Sequence, residues 1–311
     1  MVEIVSGKLI RNETNQLAMG GTEMMAIGMH QRIPKKLLKK FQIIHSRPRE
    51  LRNDLKKILV CHDLAGDPEV QHLKNGGWER YDKLVFVSQW QFQQYHAYLG
   101  VPYSHSHILQ NAITPIKSHQ KPNNINLIYH TTPHRGLQIL YPVFTELCKK
   151  YPDIHLDVYS SFKIYGWEQR DEPFKPLFEE LKKHPNITYH GSVSNGKIRE
   201  ALQKAHIFAY PSIWQETSCI ALIEAMSAGC ICVHPNYAAL PETSGGWTSM
   251  YHWDEAPNIH ANRFYAYLDG AVKHILQHGM PYMENQKFYT DTMYSWDKRS
   301  KEWEQFLGNF G

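Results

Sequence analysis

The stretch Pro211-Ser212-Ile213-Trp214-Gln215-Glu216-Thr217-Ser218-Cys219-Ile220-Ala221-Leu222-Ile223-Glu224-Ala225-Met226-Ser227-Ala228-Gly229 decides the reading of this chain. It predicts a strand-to-helix junction. A short apolar strand, Ile207 to Tyr210, ends in Pro-Ser, and a polar loop then carries Glu216. Thr217 or Ser218 is expected to cap a helix that runs to Gly229. The first free N–H groups of that helix, around Thr217 to Cys219, would favour an anion. A carboxylate beside an anion site suits a ligand that carries hydroxyls as well as phosphates. Glu216 would accept from sugar hydroxyls, and Glu224, about two turns on, from a ribose. A nucleotide-sugar has both.

Composition sets the frame. The 311 residues fit one large or two medium domains. Hydrophobic content of 42% and charge of 21% are those of a folded globular chain. A net charge of +4 is too small to argue for nucleic acid. The five cysteines, Cys61, Cys148, Cys219, Cys230 and Cys232, sit mostly in apolar runs and lack zinc spacing. They read as reduced core thiols, consistent with a cytoplasmic compartment. No apolar run is long enough to span a bilayer, and the first residues lack a signal-peptide pattern.

Strand-like and helical runs alternate throughout, which predicts parallel sheets with crossover helices, an α/β class. In the first part the strands are Val2 to Ile10, Phe41 to His45, Ile58 to His62 and Leu84 to Ser88, with helices at Thr22 to Arg32 and Trp90 to Tyr98. The segment Thr114 to Asn126, rich in Pro, Lys, Ser and Asn, marks the domain boundary. Beyond it come a strand at Ile125 to Tyr129, a helix at Gly136 to Tyr151, a strand at His155 to Tyr159 and a helix at Phe174 to His184. Ile187 to His190 is then a strand and Lys197 to Ala205 a helix. Met283 to Phe306 reads as a final helix with Tyr294, Trp296, Trp303 and Phe306 on it.

Glu-x7-Glu followed by Ala-Met-Ser-Ala-Gly resembles the donor-site signature of the GT4 family of retaining glycosyltransferases. The resemblance implies a GT-B fold: two Rossmann-like α/β domains whose parallel sheets face a central cleft. It implies an acceptor domain at residues 1–117, a nucleotide-sugar donor domain at 118–285, and a C-terminal helix, 286–311, crossing back to the first domain. Ala18-Met19-Gly20-Gly21-Thr22-Glu23 resembles the family's Gly-Gly-x-Glu loop. Paired glycines allow close backbone approach to a ligand, and Thr22 can cap the helix. Asp82-Lys-Leu-Val-Phe-Val-Ser88 followed by Leu109-Gln-Asn-Ala-Ile113 resembles the run leading to the hinge, with Ala112 in place of a glycine.

His62 and Asp63 end a strand at the edge where parallel sheets place ligands. The resemblance puts His62 near the donor sugar. Asp63 with Asp67 suggests a metal pair, but GT-B enzymes generally need none, so neither metal nor cofactor is expected. Arg135-Gly136 resembles the Lys-Gly of the family's phosphate-binding segment, and an arginine can meet a diphosphate bidentately. The usual earlier arginine is missing: His130-Thr131-Thr132 stands there, and His130, His134 or Lys197 are the candidate replacements. The segment around Val193 resembles the one that frames the nucleotide base and contributes mainly backbone contacts. Lys35, Lys36, Lys39 and Lys40 form a basic amphipathic run with Leu37, Leu38 and Phe41 opposite, a candidate for peripheral membrane contact.

The implied catalytic set is Glu216, His62 and Arg135. The implied donor-binding set is Gly20, Gly21, Thr22, Arg135, Val193, Glu216, Thr217, Ser218, Cys219 and Glu224. The implied activity is transfer of a hexose from a GDP- or UDP-sugar to a hydroxyl of a glycan, lipid or other acceptor, with retention of configuration. A GT-B epimerase or phosphorylase, or a non-catalytic nucleotide-sugar binder, would use a similar site. A Rossmann dehydrogenase is disfavoured, because no Gly-x-Gly-x-x-Gly follows the first strand.

Overall fold

The computed structural model describes residues 2–11, 19–47 and 50–310, so Ala18 of the glycine loop lies outside the described residues. The described chain forms two compact units, divided at Thr114–Pro115 and again at Asp291–Thr292. The first unit opens with β1 (Val2–Val5), β2 (Lys8–Arg11), α1 (Gly21–Arg32), α2 (Lys35–Leu38), β3 (Phe41–His45) and β4 (Lys56–Cys61). It continues with β5 (Lys83–Phe86), α3 (Gln89–Leu99) and β6 (Ser106–Ile108). The second unit runs β7 (Asn126–Tyr129), α4 (Leu137–Lys150), β8 (His155–Val158), α5 (Lys175–Lys183), β9 (Ile187–Tyr189) and α6 (Asn195–Lys204). Then come β10 (Ile207–Ala209), α7 (Ile220–Ser227), β11 (Ile231–Pro235), α8 (Leu240–Ser244), β12 (Ser249–Tyr251) and α9 (Pro257–His278). After α10 (Glu284–Met293) the chain rejoins the first unit with α11 (Trp296–Phe310).

The sheet of the first unit has the order β2-β1-β3-β4-β5-β6. From β3 to β6 it is parallel. The predicted single strand Val2 to Ile10 is instead an antiparallel hairpin, and β1 is also antiparallel to β3. The cause is local: Ser6 and Gly7 both have positive φ, 47° and 75°, so the chain reverses in two residues. The sheet of the second unit is wholly parallel, in the order β12-β11-β10-β7-β8-β9. Strands buried on both faces need continuous apolar runs, and Ile231-Cys232-Val233 is one. Helix α4 shows why the sequence folds as it does. Leu137, Leu140, Phe144 and Leu147 recur at helical spacing, and all four are fully buried. The cysteines are free thiols, all buried except the half-buried Cys148.

The predicted final helix is two helices. Between α10 and α11 the chain bends at Tyr294 and bridges to Ile113 at Ser295, where Tyr294 O accepts from Ile113 N (2.7 Å) and Trp296 N donates to Ile113 O (3.1 Å). That backbone pairing takes groups a continuous helix would need. Ser295 Oγ then accepts from Lys298 N at 3.2 Å and starts α11. Within the first unit α11 packs on α1 through Gly28 and Trp296, and a Cβ at Gly28 would lie 2.0 Å from Trp296 Cζ2. Gly28→Ala is therefore expected to cost about 1–3 kcal/mol through overpacking. Denaturant unfolding checks this, and an unchanged midpoint would contradict the contact.

Candidate functional site

In the second unit the chain builds β7, β8 and β9 outward in one direction, then returns to place β10 on the other side of β7. That reversal is a switch point, and ligands of open parallel sheets bind beyond the carboxyl ends of the strands there. The loop after β7 carries His130 to Gly136, and the loop after β10 carries Tyr210 to Cys219. The two loops are bound together: Ile213 N donates to Arg135 O (3.4 Å).

Arg135 ends a 3-10 turn and is held by its own neighbours. Its Nε donates to Thr132 Oγ1 at 3.1 Å, while Thr132 O accepts from the Tyr129 hydroxyl at 2.9 Å. Its Nη1 donates to Glu216 Oε1, and the same oxygen accepts from the Tyr210 hydroxyl. Glu216 is 4% exposed. Burial works against the charge of Arg135, but Glu216, together with Tyr165 and Tyr210, outweighs it and holds the guanidinium well above its ordinary range. Burial likewise pushes the Tyr210 phenol up, so it stays a proton donor. The structure thus brings together two residues expected separately, and adds Tyr210.

The start of α7 differs from the expectation. Cys219, not Thr217 or Ser218, is the N-cap residue, with no side-chain capping bond, and the thiol of Cys219 is buried and pushed up. Glu216 O accepts from Ala239 N at 3.1 Å, which ties the preceding loop to α8. Thr217 and Ser218 are half-buried beside it. Glu224 is inside α7, 9% exposed, and its Oε1 accepts from Arg199 Nη1 at 2.6 Å. Burial raises the Glu224 carboxyl despite that partner. Arg199 also donates to Pro115 O at 3.3 Å. Sequence reasoning missed Arg199, since a basic residue on an amphipathic helix carries no local signal of its partner. Val193 lies half-buried between β9 and α6, whose cap is Ser194.

His130 and His134 do not replace the missing arginine as cations. Burial first, and for His134 also the charges of Arg135 and Arg170, lowers each to about 4. Both are neutral at pH 7. His130 Nε2, Thr131 Oγ1 and His134 Nδ1 are buried with no hydrogen-bond partner. Lys197 is exposed in the first turn of α6.

In the first unit His62 follows β4 directly. His45 Nδ1 and His62 Nε2 are 3.2 Å apart, and the rings stack at 5.5 Å and 18°. Burial lowers His62 to about 4, so it can act only as a neutral imidazole. Asp63 is pushed up by burial, and its backbone oxygen accepts from Gln91 Nε2 and the Tyr95 hydroxyl. Asp67 caps the turn that follows it, accepting from Glu69 N. No group of three or more His, Cys, Asp or Glu suited to a metal occurs among the described residues. Gly20, rather than Thr22, caps α1, and its carbonyl accepts from Met24 N at 3.1 Å, while Gly21 is the first helical residue. Lys35, Lys36, Lys39 and Lys40 are all exposed, over the buried Leu38 and Phe41. No helix among the described residues is long and apolar enough to cross a membrane.

Four histidines, His62, His130, His134 and His234, are held near 4 by burial. Unfolded, they titrate at about 6.5. Between those values the unfolded chain binds protons that the folded chain refuses, so stability is full above about pH 6.5 and falls as pH drops. Asp63 and Glu224, pushed up by burial, act in the opposite sense. The unfolding midpoint is expected to fall between about pH 6.5 and 4.5, and His234→Gln should flatten that slope. A midpoint constant over this window would contradict the burial assigned to these rings.

Residues 111–259 match the family model described as Glycosyl transferases group 1. A stretch of 112 residues is 30% identical to a subunit of the human phosphatidylinositol N-acetylglucosaminyltransferase, spanning 35% of this chain and only 21% of that protein. Among solved structures, a glycosyltransferase from Rickettsia africae ESF-5 superposes with TM-score 0.68 at 13% identity, covering 96% of this chain and 84% of that one. Anabaena HepE, solved in complex with UDP-glucose, superposes with TM-score 0.65 at 14% identity, covering 82% and 72%. At such identities these likenesses show the fold, which is GT-B.

Proposed function

Because residues 111–259 belong to the glycosyl transferases group 1 family, we propose that this protein is a retaining glycosyltransferase. It moves a hexose from a nucleoside-diphosphate sugar, GDP- or UDP-linked, to a hydroxyl of a glycan, lipid or other acceptor. The observation that carries this reading is the cluster of half-buried Arg135 with buried Glu216 and Tyr210 at the switch point of the second sheet. The name of the human relative and the ligand of HepE make UDP-N-acetylglucosamine and UDP-glucose the first donors to try.

Glycosyl transfer with retention passes through an oxocarbenium-like state, while negative charge builds on the departing diphosphate. Arg135 and the first N–H groups of α7 meet that charge. Without ligand, Arg135 is balanced by Glu216. A diphosphate competes for the guanidinium, and the released carboxylate accepts from sugar hydroxyls, with Tyr210 keeping its orientation. Glu224, held by Arg199, accepts from the ribose hydroxyls, and the backbone at Val193 frames the base. The reaction needs no metal or cofactor. The four exposed lysines give peripheral attachment to anionic membrane from the cytoplasmic side.

Incubation with a UDP-sugar, with and without acceptor alcohols, tests the reading. It predicts release of UDP, an α-linked product from an α-linked donor, and the same rate in EDTA. A 2-epimeric sugar nucleotide formed without acceptor would assign an epimerase, and phosphate-dependent formation of a sugar phosphate a phosphorylase. Binding without turnover would leave a non-catalytic module.

A further inference from the structure

The loop 160–174 leaves the carboxyl end of β8, next to β7, on the edge that carries Arg135. It is closed by a clasp: Asp171 accepts from the Ser161 hydroxyl at 2.5 Å and from Phe162 N at 2.8 Å. Phe162, 6% exposed, stacks on His134 with centroids 5.0 Å apart and planes 18° apart. Trp214 meets the same imidazole edge-on at 4.7 Å, and the Arg135 guanidinium lies 6.0 Å from the Trp214 ring. At the other end of this aromatic row stands Arg170, its guanidinium 5.9 Å from the Phe162 ring and 4.8 Å from that of Trp167. The row therefore has a guanidinium at each end, with the unpartnered Nδ1 of His134 between them.

The two cations are not equivalent. Arg135 is matched by Glu216, whereas Arg170 makes no ion pair among the described residues. A diphosphate brings more negative charge than the already balanced Arg135 can answer, and the neutral His130 and His134 add none. Stacking on Trp167 and Phe162 restricts the Arg170 side chain, so less rotamer freedom is lost when it meets an anion.

We propose that Arg170, carried by the 160–174 loop, is the second cation for the diphosphate group that binds at Arg135. The proposal rests on the donor reading above for the identity of the ligand, and on the aromatic row for its geometry. Local sequence pattern does not reveal it, because Arg135 comes from the loop after β7 and Arg170 from the loop after β8.

Calorimetric titration of the whole chain with UDP, with inorganic pyrophosphate and with uridine tests it. In R170Q the affinity for UDP and for pyrophosphate should fall roughly 10-fold or more, as expected for a lost charge-assisted hydrogen bond. Uridine binding should stay unchanged. R170K should restore part of the loss, and K149Q, on the exposed face of α4, should equal the wild type. Because Arg170 is exposed, R170Q should keep the wild-type circular dichroism spectrum. If R170Q binds UDP and pyrophosphate as tightly as the wild type does, the proposal falls while the donor reading stands. If the wild type binds pyrophosphate through Arg170 but no nucleoside diphosphate, the proposal stands and the donor reading falls. A wild type that binds neither overturns both.

Discussion

Glu216→Gln is expected to leave a folded protein that still binds UDP but transfers sugar roughly 10²–10³-fold more slowly, the range for loss of one preorganised polar contact to a reacting centre. Glutamine keeps the shape and an oxygen for Arg135 and Tyr210, so the fold should lose only about 1–3 kcal/mol. The charge is what disappears. Arg135 is then free of its counter-ion, so UDP affinity should be equal to or higher than that of the wild type. The hydroxyls of the transferred sugar, by contrast, lose a carboxylate acceptor. Arg135→Gln should do the reverse, weakening UDP binding and leaving a buried carboxylate without a cation, at a cost of about 3–5 kcal/mol in stability. Steady-state kinetics with parallel calorimetry separates the two. A fully active Glu216→Gln variant would remove Glu216 from the mechanism.

The second large effect is expected at Gly136. Its φ of +124° is one that L side chains rarely adopt, and a Cβ there would lie 2.1 Å from Pro211 O. Gly136→Ala should therefore cost about 1–3 kcal/mol in backbone strain, with overpacking of similar size added. The functional loss should be larger than stability alone explains. Gly136 follows Arg135, and the atom it would strike belongs to the loop that delivers Glu216. Donor affinity should fall at least roughly 10-fold in whatever fraction remains folded, about the effect of one misplaced charge-assisted contact. Gly270→Ala is the control: nothing lies within 4 Å of a Cβ there, so the helical position should gain about 0.5–1 kcal/mol. Equal behaviour of the two variants would contradict the close approach of the loops.

The legible parts of this chain are those whose physics is local. Helix α4 follows from apolar residues at helical spacing, and the buried strand β11 from an uninterrupted apolar run. The region around Glu216 reads as a ligand loop because a strand end, a polar segment and a small-residue helix follow one another in close succession. What escaped reading depends on partners distant in sequence. The Ser6-Gly7 reversal lies within an apolar alternation that otherwise looks like one strand. The break at Tyr294–Ser295 comes from backbone pairing with Ile113, which nothing near residue 294 announces. Thr217 and Ser218 have side chains suited to capping, yet Cys219 stands at the cap, in a loop that Glu216 O ties to α8. The same holds at the site: Tyr210 reads as a core tyrosine, Arg199 as a surface charge, and Arg135 and Glu216 as separate ligands rather than a part-buried pair 81 positions apart.

Donor binding at Arg135 is tested most simply by a thermal-shift panel of GDP-, UDP-, ADP- and dTDP-sugars on the wild-type chain and on Arg135→Gln. A ligand that binds only the folded state raises the midpoint according to its concentration over its Kd. A concentration-dependent rise is expected with at least one nucleoside-diphosphate sugar, a UDP-sugar first among them, and its loss in Arg135→Gln. No shift with any donor, or an equal shift in both proteins, would contradict donor binding there.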